Sequence, residues 1–367
     1  FVFELQGVAN LFLPHYSGEF GRTREEAQAH VEEASKHKGV VLGAYSPRCD
    51  GGVKHSMLET WYSTLFSFAK NYNMDVDLHI DEHNDPKYDH LALVAMCNSL
   101  EKARADGFTR YVVLGHCTAL SLGLEGSDDH EDNKRRALIS RMGELSNITV
   151  VINPFTNLSL QDRQGTRSPI GVELKPIGEP RTPRWRGIAP IQELVAVGVP
   201  VVAASDNVRD WWYAYGDYDM LQVCSQAIHL GHLDSSLVIP TLHKPEATSE
   251  KPATLTTSPN PLGTCSSTWL ALGGLWAANA MGLTNPTAGK DFDVNELLSL
   301  CIFDARSSVE LLSRPHIDRL VVAAGQLVQE SLPSFDELDD IVATPTKVDW
   351  ESDQEVRRGG SKVSKIT

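Results

Sequence analysis

From Phe1 to about Ser235, short apolar runs alternate with stretches whose apolar positions recur every three to four residues. The first pattern predicts strands and the second helices, and their alternation predicts βα units around a parallel sheet. Strands are predicted over residues 4–9, 39–45, 74–81, 109–116, 148–153 and 199–205. Helices are predicted over 23–37, 57–72, 89–106, 133–145 and 187–198. The second of these carries Leu58, Trp61, Leu65 and Phe68 on one face, and Gly198 closes the last.

The pattern weakens further along. Residues 161–186, rich in Pro, Arg and Gly, follow a predicted strand end, where loops of α/β units carry function; an insertion without structure fits the same composition. Residues 244–267 are dense in Thr, Ser and Pro and predict a flexible surface insertion. Order is predicted to return at 269–281, followed by an amphipathic helix over 294–312 and a strand over 317–323. The polar stretch 351–367 predicts a disordered tail.

Chemistry concentrates where three predicted strands end. In Asp75-Val76-Asp77-Leu78-His79-Ile80-Asp81-Glu82, strand alternation places His79 and Asp81 on one face, with Glu82 just beyond, where a loop can turn it back. Alone, this H-x-D-E reads equally well as a satisfied strand histidine followed by solvated acids. Two other strands also end in capable residues, at Gly115-His116-Cys117 and at Ser205-Asp206-Asn207. Parallel βα units bring such ends to one face, so the three predict one site.

Composition narrows the partners. A formal net charge of −15, with 33 Lys and Arg against 48 Asp and Glu, excludes nucleic acid, which needs a basic patch. A small neutral or cationic substrate fits. The six cysteines form no C-x-x-C and fall largely in apolar patterns, which predicts reduced thiols and a cytoplasmic protein. No apolar run of about 18 residues predicts a membrane span. The chain starts at Phe1 and enters a strand almost at once, the pattern of an incomplete sequence.

Over residues 40–230 the chain resembles the cytosine deaminase branch of the metal-dependent amidohydrolase superfamily. The resemblance is carried by His79, Asp81 and Glu82; by His116, Thr118 and Ala119; by Asn153-Pro154 with Asn157-Leu158; by Leu160-Gln161 and Arg163; and by Asp206 with Asp210, Trp212-Tyr213 and Gly216. It implies an α/β fold, a (β/α)8 TIM barrel lacking its first two strands, with the remnant of a β-sandwich. The barrel would span 1–235, an insertion and helix 236–290, a C-terminal helix and sandwich remnant 291–350, and the tail 351–367.

The resemblance further implies one divalent metal ion, zinc or iron, hydrolytic deamination of cytosine or a related cyclic amidine heterocycle, and a homo-oligomer. His79 would be a metal ligand, Glu82 the proton shuttle, His116 the group that polarises or protonates near the bound water, and Asp206 both ligand and base. Asn207 and Trp212 would contact substrate, with a core role the alternative for Trp212. Three departures stand out. No H-x-H ligand pair is present, so metal is expected to bind weakly unless His15 or His55 substitutes. Phe12 stands where the branch has a glutamine that reads the pyrimidine, and Asn207 where bacterial cytosine deaminases have a second aspartate. The alternative is a catalytically dead barrel serving as a binding or scaffold protein.

Overall fold

The structure is a computed structural model. It describes residues 6–122, 130–162, 182–210, 212–233, 267–281, 300–314, 319–323 and 325–328. Six parallel strands pair strictly in chain order: β1 Gly7–Phe12, β2 Val40–Tyr45, β3 Val76–Ile80, β4 Val112–His116, β5 Ile148–Ile152 and β6 Val201–Ala203. A sheet ordered this way, with helices between its strands, has the topology of a partial (β/α)8 barrel. Each predicted strand is present. The first runs on to Phe12, past the polar Asn10 that ends the apolar run, because the pairs Asn10↔Gly43 and Phe12↔Tyr45 keep the ladder going.

The connecting helices are α1 Arg24–Ser35, α2 His55–Asn71, α3 Ala92–Ala105, α4 His130–Glu144, α5 Pro154–Leu160, α6 Ile191–Ala196 and α7 Met220–Gly231. Local chemistry sets their ends. Thr23 and Glu26 form a reciprocal capping box on α1, with Glu26 N–H donating to Thr23 Oγ1 at 3.2 Å and Thr23 N–H to Glu26 Oε2 at 2.8 Å. Past α6, Gly198 takes a left-handed φ of 86° and its N–H returns to Val195 O at 3.0 Å, closing the helix as predicted.

The predicted apolar face of α2 is the buried one: Leu58, Trp61, Leu65 and Phe68 all pack into the core, joined by Tyr62 and Phe66. Each such side chain contributes on the order of 1.5–3 kcal/mol by leaving water. From the strands come Leu42, Leu78, Ile80, Val112, Leu114, Val150 and Val201, all inaccessible to solvent. Cys49, Cys97, Cys117 and Cys224 are free thiols buried in this core, and Cys301 is free and exposed. Cys265 lies outside the described residues.

Order returns where predicted, in a 3-10 turn at Ser267–Gly273 that buries Trp269, and in α8 Leu275–Ala280. The single helix expected over 294–312 is not formed. Leu300–Ile302 is strand β7, and only Ser308–Ser313 is helix α9, started by Ser307, whose hydroxyl accepts from Glu310 N–H at 3.2 Å. A strong N-cap in mid-stretch divides a pattern that apolar periodicity alone reads as continuous. Residues 294–299 lie outside the described residues, as do most of loop 161–186, nearly all of 244–267 and the tail from 351.

A second compact unit comprises Leu297–Cys301 and Leu320–Thr367. Its described part contains β8 Leu320–Ala323 and β9 Gln326–Leu327, an antiparallel pair in a three-stranded sheet of order β7-β8-β9. Among the described residues no helix is long and apolar enough to cross a membrane.

Candidate active and metal site

Three of the strand-end residues have left-handed backbone: Asp81 at φ 51°, His116 at 71° and Asp206 at 59°, with Cys117 at 48° directly after His116. Non-glycine residues pay roughly 1–2 kcal/mol for this conformation. It turns the chain abruptly off the sheet, and residues held this way cluster at functional sites.

At Asp81 the turn ends the strand alternation. Its side chain does not sit beside His79 as predicted; it reaches to the start of α3, accepting Ala92 N–H at 2.7 Å and Leu93 N–H at 2.9 Å. These are donors that a helix start leaves without intrahelical partners. The Asp81 carbonyl accepts from Thr118 Oγ1 at 3.1 Å and Ala119 N–H at 3.0 Å, tying the loop after β3 to the loop after β4. Glu82, the next residue, is thereby fixed.

His79, Glu82 and His116 each offer a ligand atom, and the three atoms lie within 4.8 Å of one another. His116 Nε2 is 3.1 Å from His79 Nδ1, and Glu82 Oε1 is 3.4 Å from His116 Nδ1. Burial, and then the neighbouring His79, push the His116 pKa down to about 3, so the ring is neutral at physiological pH. Burial, and then the charge of Asp206, raise Glu82 to about 7. Asp206 is raised too, chiefly by burial, against which His79 acts; its Oδ2 is buried without a hydrogen-bond partner.

The donor set tests the metal expectation. Imidazole and carboxylate atoms in threes and fours suit zinc or iron(II), and a buried carboxylate oxygen with no partner is a vacant acceptor of the right charge. His79, Glu82, His116 and Asp206 could therefore supply an ion's ligands, although Asp206 is not within the 4.8 Å trio. Neither His15 nor His55 joins it among the described residues; a ring nitrogen of His55 is engaged with Leu91 O at 3.0 Å.

The other two candidates lie on the loop after β6. Asn207 donates from its side chain to Asp210 Oδ2 at 2.7 Å, and Trp212 N–H to Asp210 Oδ1 at 2.9 Å, in a turn on the loop after β6. The Trp212 side chain is 60% exposed, so the core alternative for this residue is wrong: the turn around Asp210 carries it outward.

Two groups were not among the predicted site residues. Asn153 and Asn157, spaced one turn apart at the start of α5, both place Nδ2 on His116 Nδ1, at 3.2 and 3.1 Å. The spacing Asn153-Pro154-x-x-Asn157 was visible, with the proline marking the helix start. The second group is aromatic. Phe12, Tyr45 and His79 are register partners across β1, β2 and β3, and therefore share a face of the sheet. Phe12 stacks on Tyr45 with centroids 6.2 Å apart and planes inclined at 28°, and Tyr45 is close enough to Glu82 to feel its charge.

No family model matches the chain. The N-isopropylammelide isopropylaminohydrolase of Burkholderia multivorans superposes with a TM-score of 0.52 at 20% identity, over 87% of this chain and 61% of that one. The 5-methylcytosine deaminase of Klebsiella pneumoniae gives a TM-score of 0.56 at 18% identity, over 89% and 64%. These likenesses show the fold. In sequence, a pterin deaminase of Rhizobium rhizogenes is 33% identical over 278 residues, 76% of this chain and 50% of that protein. The chain is thus similar in sequence to a pterin deaminase and in fold to hydrolases acting on heterocyclic rings. It spans half the length of the curated relative it matches.

Proposed function

We propose that this chain carries the catalytic half-site of a metal-dependent hydrolase of C–N bonds other than peptide bonds, deaminating a planar cyclic amidine of the pterin or pyrimidine kind. The observation that supports this most is the convergence of His79, Glu82 and His116 at the ends of two adjacent strands, with Asp206 facing them. His79 and Asp206 would hold the ion. When bound, a divalent ion acidifies water and polarises the carbon under attack.

The chain's own residues do the rest. Glu82, poised near neutrality, takes a proton from the attacking water and returns it to the departing amine, the match of pKa to pH that efficient proton transfer requires. Neutral His116 donates a hydrogen bond from Nε2 to the oxygen or nitrogen on which charge develops. Asp206 accepts at its unpartnered Oδ2. Phe12 and Tyr45 offer a flat apolar ledge where the branch has a glutamine, which favours a larger fused ring over cytosine. A dead scaffold has no need of a buried carboxylate raised to about 7 beside a buried neutral histidine.

The test is to load the protein with zinc or iron(II), desalt it, and measure both bound metal and ammonia release from pterin, guanine and cytosine. Retained metal with turnover of at least one ring is expected. Retained metal with no turnover of any of them would leave the scaffold reading standing.

A further inference from the structure

We infer that Asn153 and Asn157 are positioning residues that hold His116 with its proton on Nε2, so that this histidine serves as a hydrogen-bond donor and is kept out of the metal's ligand set. A side-chain amide has two N–H donors on one nitrogen and an acceptor on the other arm. Asn157 Nδ2 stands 3.1 Å from His116 Nδ1 and 3.3 Å from Glu82 Oε1. Asn153 Nδ2 stands 3.2 Å from His116 Nδ1.

The Glu82 carboxylate decides which way the Asn157 amide faces, because an amide oxygen turned toward it would set acceptor against acceptor. With its NH2 group so fixed, Asn157 points a donor at His116 Nδ1, which must then be an acceptor, and Asn153 Nδ2 approaches the same nitrogen. Nδ1 carries the lone pair, and the proton is on Nε2, facing His79 Nδ1 at 3.1 Å. This is the reverse of the usual arrangement around a metal-bound imidazole, whose free nitrogen donates to a carboxylate or carbonyl and leaves the other lone pair for the ion. Asn157 is wholly buried and Asn153 nearly so, so water cannot substitute for either.

The consequence for the reaction rests on the deaminase reading above; the tautomer does not. The test is nitrogen NMR of the metal-free full chain with 15N-labelled imidazoles, assigned to His116 by its loss in His116→Ala. Protonation at Nε2 and an unprotonated Nδ1 are expected in the wild type, and the opposite tautomer overturns the inference without any further variant. Asn157→Asp, which turns a donor into an acceptor, should move the proton to Nδ1, and an unchanged tautomer in that folded variant would equally overturn the role of the amide. Zinc titration is the second arm. His116→Ala should lower zinc affinity by no more than the roughly 10–100-fold that loss of an outer-shell partner costs, whereas a variant that no longer retains zinc would make His116 a ligand and sink the inference. If tautomer and affinity behave as expected but no ring is deaminated, the proposed function fails and the positioning role stands.

Discussion

At the ends of β3 and β4, Asp81 and His116 are almost fully buried and every turn is tied by hydrogen bonds to a helix start, whereas the loop leaving β6 presents Trp212, Tyr215 and Tyr218 at 60, 87 and 80% exposure. The first region is held by the Asp81 carboxylate on α3 and by the two asparagines of α5. The second is organised by one surface carboxylate, Asp210, which receives the N–H groups of Trp212 and Tyr213 and the amide of Asn207. The difference separates two tasks: proton handling needs groups fixed to within fractions of an ångström, while contact with a variable ring can be made from an exposed rim.

The largest effect expected is on the buried side. Glu82→Gln keeps the shape and removes the proton carrier, so turnover should fall by about 10²–10⁴-fold with metal content unchanged; near-normal turnover would show that Glu82 carries no proton. Asp81→Ala strands two buried N–H groups at the start of α3 and should cost about 3 kcal/mol in urea unfolding. A cost below about 1 kcal/mol would mean that the loop is not anchored there.

On the far side of β6, Asp219 caps α7 through Leu221 N–H and pairs with Arg319, whose Nη1 is 2.8 Å from Oδ1. The hydrogen bond from Arg319, and then its charge, hold the Asp219 carboxyl below the ordinary carboxylate range. A depressed carboxyl contributes stability above its unfolded pKa and loses it as pH falls through the folded one. Asp219→Asn, which keeps a capping side chain and removes the charge facing Arg319, should therefore cost up to about 1 kcal/mol at neutral pH, and the gap to wild type should close below pH ~4. A gap that persists at pH 2 would place the effect elsewhere than in the charge. The smallest effect belongs to the exposed rim: Trp212→Ala should change stability by no more than about 0.5 kcal/mol. A rise in KM without change in kcat would assign Trp212 to substrate contact, and a large fall in melting temperature would contradict its exposure.

Much of this could be read along the chain. Alternation gave six strands and the buried face of α2, because both depend on local periodicity that the fold does not override. The convergence of His79, Glu82 and His116 followed from parallel topology alone. Asp81 was misplaced because alternation holds only while the strand continues, and a left-handed φ ends it at that residue. Asn153 and Asn157 escaped as site residues because their role depends on His116 and Glu82, at the ends of other strands, and no spacing within α5 names those partners. The helix expected over 294–312 failed for a local reason, the Ser307 cap. The exposure of Trp212 depends on the turn at Asp210, which periodicity does not report.

The sheet order has a bearing on how the chain comes together. Each strand pairs with the one made just before it, so the sheet can grow in the direction of synthesis, every new βα unit finding an edge already in place. His79 and Glu82 arrive with the third strand, His116 with the fourth, the asparagines after the fifth and Asp206 after the sixth. A nascent chain thus builds its sheet while its reactive groups are still incomplete, and the set is complete only when β6 docks.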